Sequence, residues 1–180
     1  MSSAGIASTS RVEELRRAFD CSFAEPPRSD AASLEDLLEI TVGGTPYALR
    51  ITEISGLFAD RTITPLPTPV PELLGITGFR GSILPVYDLA AMLGYPMAAA
   101  AKPRWLAIAA ALPVGLAFDG FERHQRIDRD AIVVQVRCDG DVRHVRDVFQ
   151  SRETVRPIVS VASVLEAISS RVGSGVRGRE

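Results

Sequence analysis

Few residues in this chain carry the types and spacings that do covalent chemistry. Ser151, His144 and Asp147 can be assembled on paper into a nucleophile, base and orienting acid, but no glycine-framed nucleophile elbow accompanies them. His124 and His144, both flanked by arginine, sit at metal-ligand spacing neither from each other nor from a cysteine, so no metal site is expected. Asp128 and Asp130 alternate with Arg129, the pattern of an exposed turn more than of an acid/base pair. Gly75-Ile76-Thr77-Gly78 lacks the remainder of either a dinucleotide or a phosphate-loop fingerprint. Cys21 and Cys138 are far apart and form no CxxC, which reads as two reduced thiols in a cytosolic protein. The expectation is a protein with no catalytic residues, cofactor or metal.

One arginine stands apart. Arg80 lies between Phe79 and Gly81, with Gly78 before it. Flanking glycines strip away neighbouring side chains, and a guanidinium so placed can form a bidentate pair with a carboxylate. Glu53, at the end of a predicted hairpin, is the candidate partner; the alternative is a plain surface ion pair worth about 0–1 kcal/mol.

The elements that must position these residues read as mostly β. Leu38, Ile40 and Val42 alternate with polar residues, and so do Tyr47, Leu49 and Ile51; Gly43-Gly44 between them marks a hairpin. Pro65, Pro67, Pro69 and Pro71 exclude helix and central strand, leaving a rigid extended connection. Glu72 to Leu74 reads as one helical turn. Gly75 to Tyr87 reads as two strands around a glycine-flanked kink, with Asp88 capping a helix from Leu89 to Leu93 that Gly94 ends. Trp105 to Phe118 is the longest apolar run, but it is shorter than the ~20 residues of a membrane span and is broken by Pro113 and Gly115. It reads as two buried strands and a tight turn, without membrane insertion. Arg11 to Phe23 reads as a short amphipathic helix, followed by a linker from Ala24 to Ala32.

The order of elements repeats. Pro157 to Leu165 echoes Pro85 to Leu93, each with a proline opening a strand, a capping residue (Ser160 or Asp88) and an apolar helix. Two β-rich halves follow, about 37–97 and 104–169, packed through a shared apolar layer as small barrels. Residues 1–36 form an N-terminal helical extension and 171–180 a flexible tail. The net charge of −2 gives no bulk attraction for nucleic acid. With aromatics at only 6% of residues, the rival idea of a barrel module for nucleic acid or another ligand lacks its stacking platform.

Pro65-Leu66-Pro67 and the run from Leu74 to Leu89 resemble the signature of CheW-type chemotaxis coupling proteins, with Tyr47 to Ile54 similar to the segment preceding it. The likeness covers about 37–168. It implies two SH3-like β-barrels around a common core, no catalysis, and an adaptor joining a CheA-type histidine kinase to methyl-accepting chemotaxis receptors. It also implies a cytoplasmic location, reaching membrane receptor arrays through those partners. Arg80 and Glu53 fall on the family's functional pair, with Phe79 beside them; Gly75, Gly81, Pro85 and Asp88 fall on its structural positions. Gly78 departs from the pattern's asparagine, and the charged stretch from Ile127 to Pro157 fits it poorly.

Overall fold

The computed structural model describes residues 34–96, 103–134, 143–151 and 154–175. The expected helix at 11–23, the linker, Cys21, Cys138 and residues 176–180 of the expected tail lie outside them; residues 171–175 of that tail are instead helical, and residues 34–36 of the expected extension already form strand.

The chain opens with the hairpin read from alternation, β1 (Leu34–Val42) and β2 (Thr45–Arg50), joined by Gly43-Gly44. Both glycines take positive φ (59° and 77°), which the favoured two-residue hairpin turn demands. A 3-10 turn, Ile51–Glu53, leads into β3 (Ile54–Ala59). After the proline-rich connection come β4 (Leu73–Phe79), β5 (Ser82–Asp88) and helix α1 (Leu89–Leu93). Residues 71–72 form a turn rather than the expected helical turn, and Leu73 already belongs to β4. The apolar run divides as expected into β6 (Trp105–Ala109) and β7 (Gly115–Phe118). Then follow β8 (Gly120–Asp128), a 3-10 turn at Arg129–Ala131, β9 (Ile132–Val134), β10 (Val145–Ser151), β11 (Thr154–Val159) and helix α2 (Val161–Gly175).

The strands form two sheets, in the orders β8-β1-β2-β11-β10-β9 and β3-β6-β7-β5-β4. Both are strongly curled. Four strand steps span about 19 Å in a flat sheet. Yet Arg123 on β8 donates to Ser151 on β10 at 2.7 Å, and the rings of Phe58 (β3) and Phe79 (β4) lie 5.3 Å apart. One face of the first sheet (Leu38, Ile40, Val42, Tyr47, Leu49) packs with Leu116, Phe118, Val159, α1 and the apolar side of α2. Each large side chain buried there contributes about 1.5–3 kcal/mol. The second sheet encloses a smaller core of Leu84, Val86, Leu106, Ile108 and Ala117.

The sheets do not follow the two sequence halves at 37–97 and 104–169. The β1–β2 hairpin pairs in parallel with β11, and the β6–β7 hairpin pairs in parallel with β5, so each half lends its hairpin to the other half's sheet. The echo between the halves is therefore a reciprocal exchange. Alternation identifies hairpins but does not say which neighbour each will join. Nor do Pro85 and Pro157 open their strands; each sits inside one, immediately before its parallel ladder begins, at Val86 and Ile158. Ile76, opposite Pro85, commits both its backbone N–H and C=O to Thr64, at 2.9 and 2.8 Å. Pro85 thus lacks an N–H where β4 offers no acceptor.

Candidate partner-binding groove

Arg80 and Gly81 are the two-residue turn of the β4–β5 hairpin, closed by the Phe79–Ser82 pair. The expected kink is a full reverse turn. Arg80 has φ 47° and Gly81 φ 79°, the left-handed values such a turn needs. Glycine adopts that conformation freely, whereas an arginine there costs about 1–2 kcal/mol. The turn thrusts Arg80 outward, and its guanidinium lies 5.0 Å above the Phe79 ring. Phe79 meets Phe58 edge to face, at 69°, and Arg61 covers Phe58 at 4.9 Å. The result is a stack of Arg80, Phe79, Phe58 and Arg61 joining the first and last strands of the sheet. Neither guanidinium pairs with a carboxylate of the described residues.

The stack borders a groove of about 330 Å³. One wall is the hairpin (Phe79, Arg80, Ser82, Leu84), the other the turn after β6 (Ala109 to Pro113), with Ser55 and Ile108 between them. Ile83, on the same hairpin, is 72% exposed. Apolar walls with a cationic mouth suit an apolar segment carrying a carboxylate.

Glu53 and Arg80 are not a pair in this structure. Glu53 Oε2 accepts from the backbone N–H of Val161 at 3.1 Å, and its carbonyl accepts from Ala110 N at 2.9 Å. The N-terminus of a helix from a distant part of the chain holds this carboxylate instead.

The structural motif residues act locally. Gly75, with φ 147°, runs under the proline-rich segment; a Cβ there would stand 2.1 Å from Thr64 O. Asp88 Oδ1 accepts from Ala90 N at 2.9 Å and caps α1, which Gly94 ends with φ 95°. Burial raises the Asp88 carboxyl above its ordinary value, opposed by the N–H groups of Ala90 and Ala91 and reinforced by Asp119. Gly78 has no atom within 4 Å of where a Cβ would stand, so the asparagine of the family pattern would fit there.

The would-be triad is dispersed. His144 Nδ1 lies 2.9 Å from Ser163 Oγ, Asp147 is paired with Arg50, and Ser151 bonds Glu39. His124 lies against Asp36 at 2.7 Å, and Asp128 accepts from Asp130 N in an exposed turn.

Two features had no reading in the sequence. One is the Arg61–Phe58 arm of the stack, whose members come from separate elements. The other is Glu39, fully buried on β1. Its Oε1 accepts from Arg123 Nη2 (2.7 Å) and Ser151 Oγ (2.9 Å). Its Oε2 lies 3.2 Å from Arg156 Nε, close enough for ion pairing but without hydrogen-bond alignment. Arg156 also donates to Glu122, which holds that carboxyl below its ordinary value.

A model of the CheW-like domain matches residues 36–169, and the chain belongs to that family, whose members are chemotaxis scaffold proteins without catalytic activity. Among solved structures, the fold is similar to the scaffolding protein TtCheW from Thermoanaerobacter tengcongensis. The match has 21% identity and a TM-score of 0.63, covering 70% of this chain and 88% of that one. No curated protein matches the sequence. Among the described residues no helix is long and apolar enough to cross a membrane.

Proposed function

We propose that the protein is an adaptor that couples methyl-accepting chemotaxis receptors to a CheA-type histidine kinase, in chemotaxis or a related signalling pathway. In this reading the two curled sheets are the family's SH3-like barrels. The protein works in the cytoplasm and reaches membrane receptor arrays only through its partners. Arg80 and Phe79 contact a partner directly, and Glu53 contributes to the same site.

The observation that carries the proposal is the stack at the groove mouth. Two guanidinium groups are held over aromatic faces, one of them, Arg80, lining an apolar cleft, with no carboxylate of the described residues to neutralise them. A turn that holds an arginine at positive φ carries strain, and such strain is commonly retained where a side chain must be presented.

The test is co-purification with the cognate kinase and a receptor cytoplasmic tail, with kinase stimulation as readout. Arg80→Ala, shown to fold by circular dichroism, is expected to weaken kinase binding by about tenfold or more, as truncation of an arginine anchor does. Full stimulation by the folded variant would remove the role given to Arg80.

A further inference from the structure

The two contacts of Glu53 run in opposite directions along the fold. Its carboxylate reaches the first N–H of α2, while Ser160 Oγ accepts from Ser163 N at 3.3 Å and satisfies a second donor of the same turn. These N–H groups have no partner inside the helix and carry its positive dipole end, so a carboxylate is well held there. The Glu53 carbonyl meanwhile holds Ala110. Two residues on, Ser55 Oγ lies 3.4 and 3.3 Å from the carbonyls of Ile108 and Ala109. A segment of three residues therefore grips the turn that forms one groove wall and fastens it to a helix on the other side. The opposite wall, carrying Arg80, receives nothing from Glu53.

We infer that Glu53 is a positioning residue for partner binding: it pins the Ala109–Pro113 wall to the N-terminus of α2, and it acts independently of Arg80. This rests on the reading of the groove as the kinase-binding site. On this basis, removing Glu53 loosens one wall, while removing Arg80 deletes a contact from the other.

The experiment is a double-mutant cycle in the full chain. Kinase affinity and amide hydrogen exchange at the start of α2 are measured for Glu53→Ala, Glu53→Gln, Arg80→Ala and the Glu53→Ala/Arg80→Ala double variant. Glu53→Ala is expected to speed exchange at Val161 to Ser163 by about tenfold, the scale of a lost helix cap, and to weaken kinase binding. Glu53→Gln keeps an acceptor oxygen and the side-chain volume, so it folds and shows a smaller change in both. Arg80→Ala weakens binding and leaves exchange unaltered. In the double variant the two affinity losses multiply to within about twofold, as for sites that share no contact. A double variant no weaker than Arg80→Ala alone would mean that the two residues act as a pair and would overturn the inference. Unchanged exchange and unchanged binding in Glu53→Ala would overturn it as well. Normal binding by Arg80→Ala is a different failure: it removes the groove reading, whatever the exchange data show.

Discussion

At Gly75 the backbone passes so close to Thr64 that hydrogen is the only substituent with room. Gly75→Ala would force a 2.1 Å approach onto a carbonyl oxygen at a φ of 147°. The expected cost is about 2–4 kcal/mol, combining overpacking with backbone strain, read as a lower urea midpoint with unchanged slope. Asp88 offers a contrast in sign. Its folded-state carboxyl is raised, chiefly by burial, so the folded protein takes up that proton more readily than the unfolded chain. The stabilisation from the protonated form is present below the ordinary value of 3.8 and is lost as pH rises through the raised one. At neutral pH the charge is a liability. Asp88→Asn keeps a cap of equal quality and should melt at the same or a higher temperature at pH 7, with the difference shrinking toward pH 4. Asp88→Ala loses the cap and should be less stable by about 1 kcal/mol. Gly81 and Asp88 were legible in the sequence because their partners lie within two residues of them. The partner of Glu53 was not, since it is the end of a helix more than a hundred positions away.

Among the elements, β1 shows how alternation can mislead. Glu39 occupies an outward position by period two, alternating with Leu38 and Ile40, and would ordinarily face water. The curl of the six-stranded sheet turns that face inward and closes Arg123, Arg156 and Ser151 over it. Nothing in the local pattern records a curl, because curling depends on strands contributed by the far end of the chain. The cluster leaves Arg123 Nε and Arg156 Nη1 buried without hydrogen-bond partners. A network satisfied only in part is costly to break and unhelpful to keep. Glu39→Gln should therefore cost about 2–4 kcal/mol in urea unfolding; the lower end applies because Arg123 retains contact with water. Replacing Glu39, Arg123 and Arg156 together by Val, Leu and Met should be neutral or stabilising. A triple variant weaker than Glu39→Gln would refute this account.

For the whole molecule, the exchange of hairpins makes the two sequence halves inseparable. Neither sheet can form from one half alone, since β11 is needed beside β2 and β7 beside β5. Chains covering 34–97 and 103–175, expressed separately, should show no cooperative melting, while the intact chain unfolds in one calorimetric transition. Separate melting of either fragment would count against the shared architecture. The curled sheets also have a consequence for the order of events during synthesis. All five strands of the smaller sheet lie between Ile54 and Phe118, inserted between β2 and β8, whereas the larger sheet pairs Ala48 with Ile158. On the ribosome, every residue lining the Arg80 groove has been made by the time Phe118 is added. The β1–β2 hairpin, made first, must wait for β11, the last strand of the described residues, so completion of the larger sheet is set by closure of a long loop, the slow step for non-local pairing. The proposed partner groove is thus translated well before α2, the helix whose N-terminus holds Glu53.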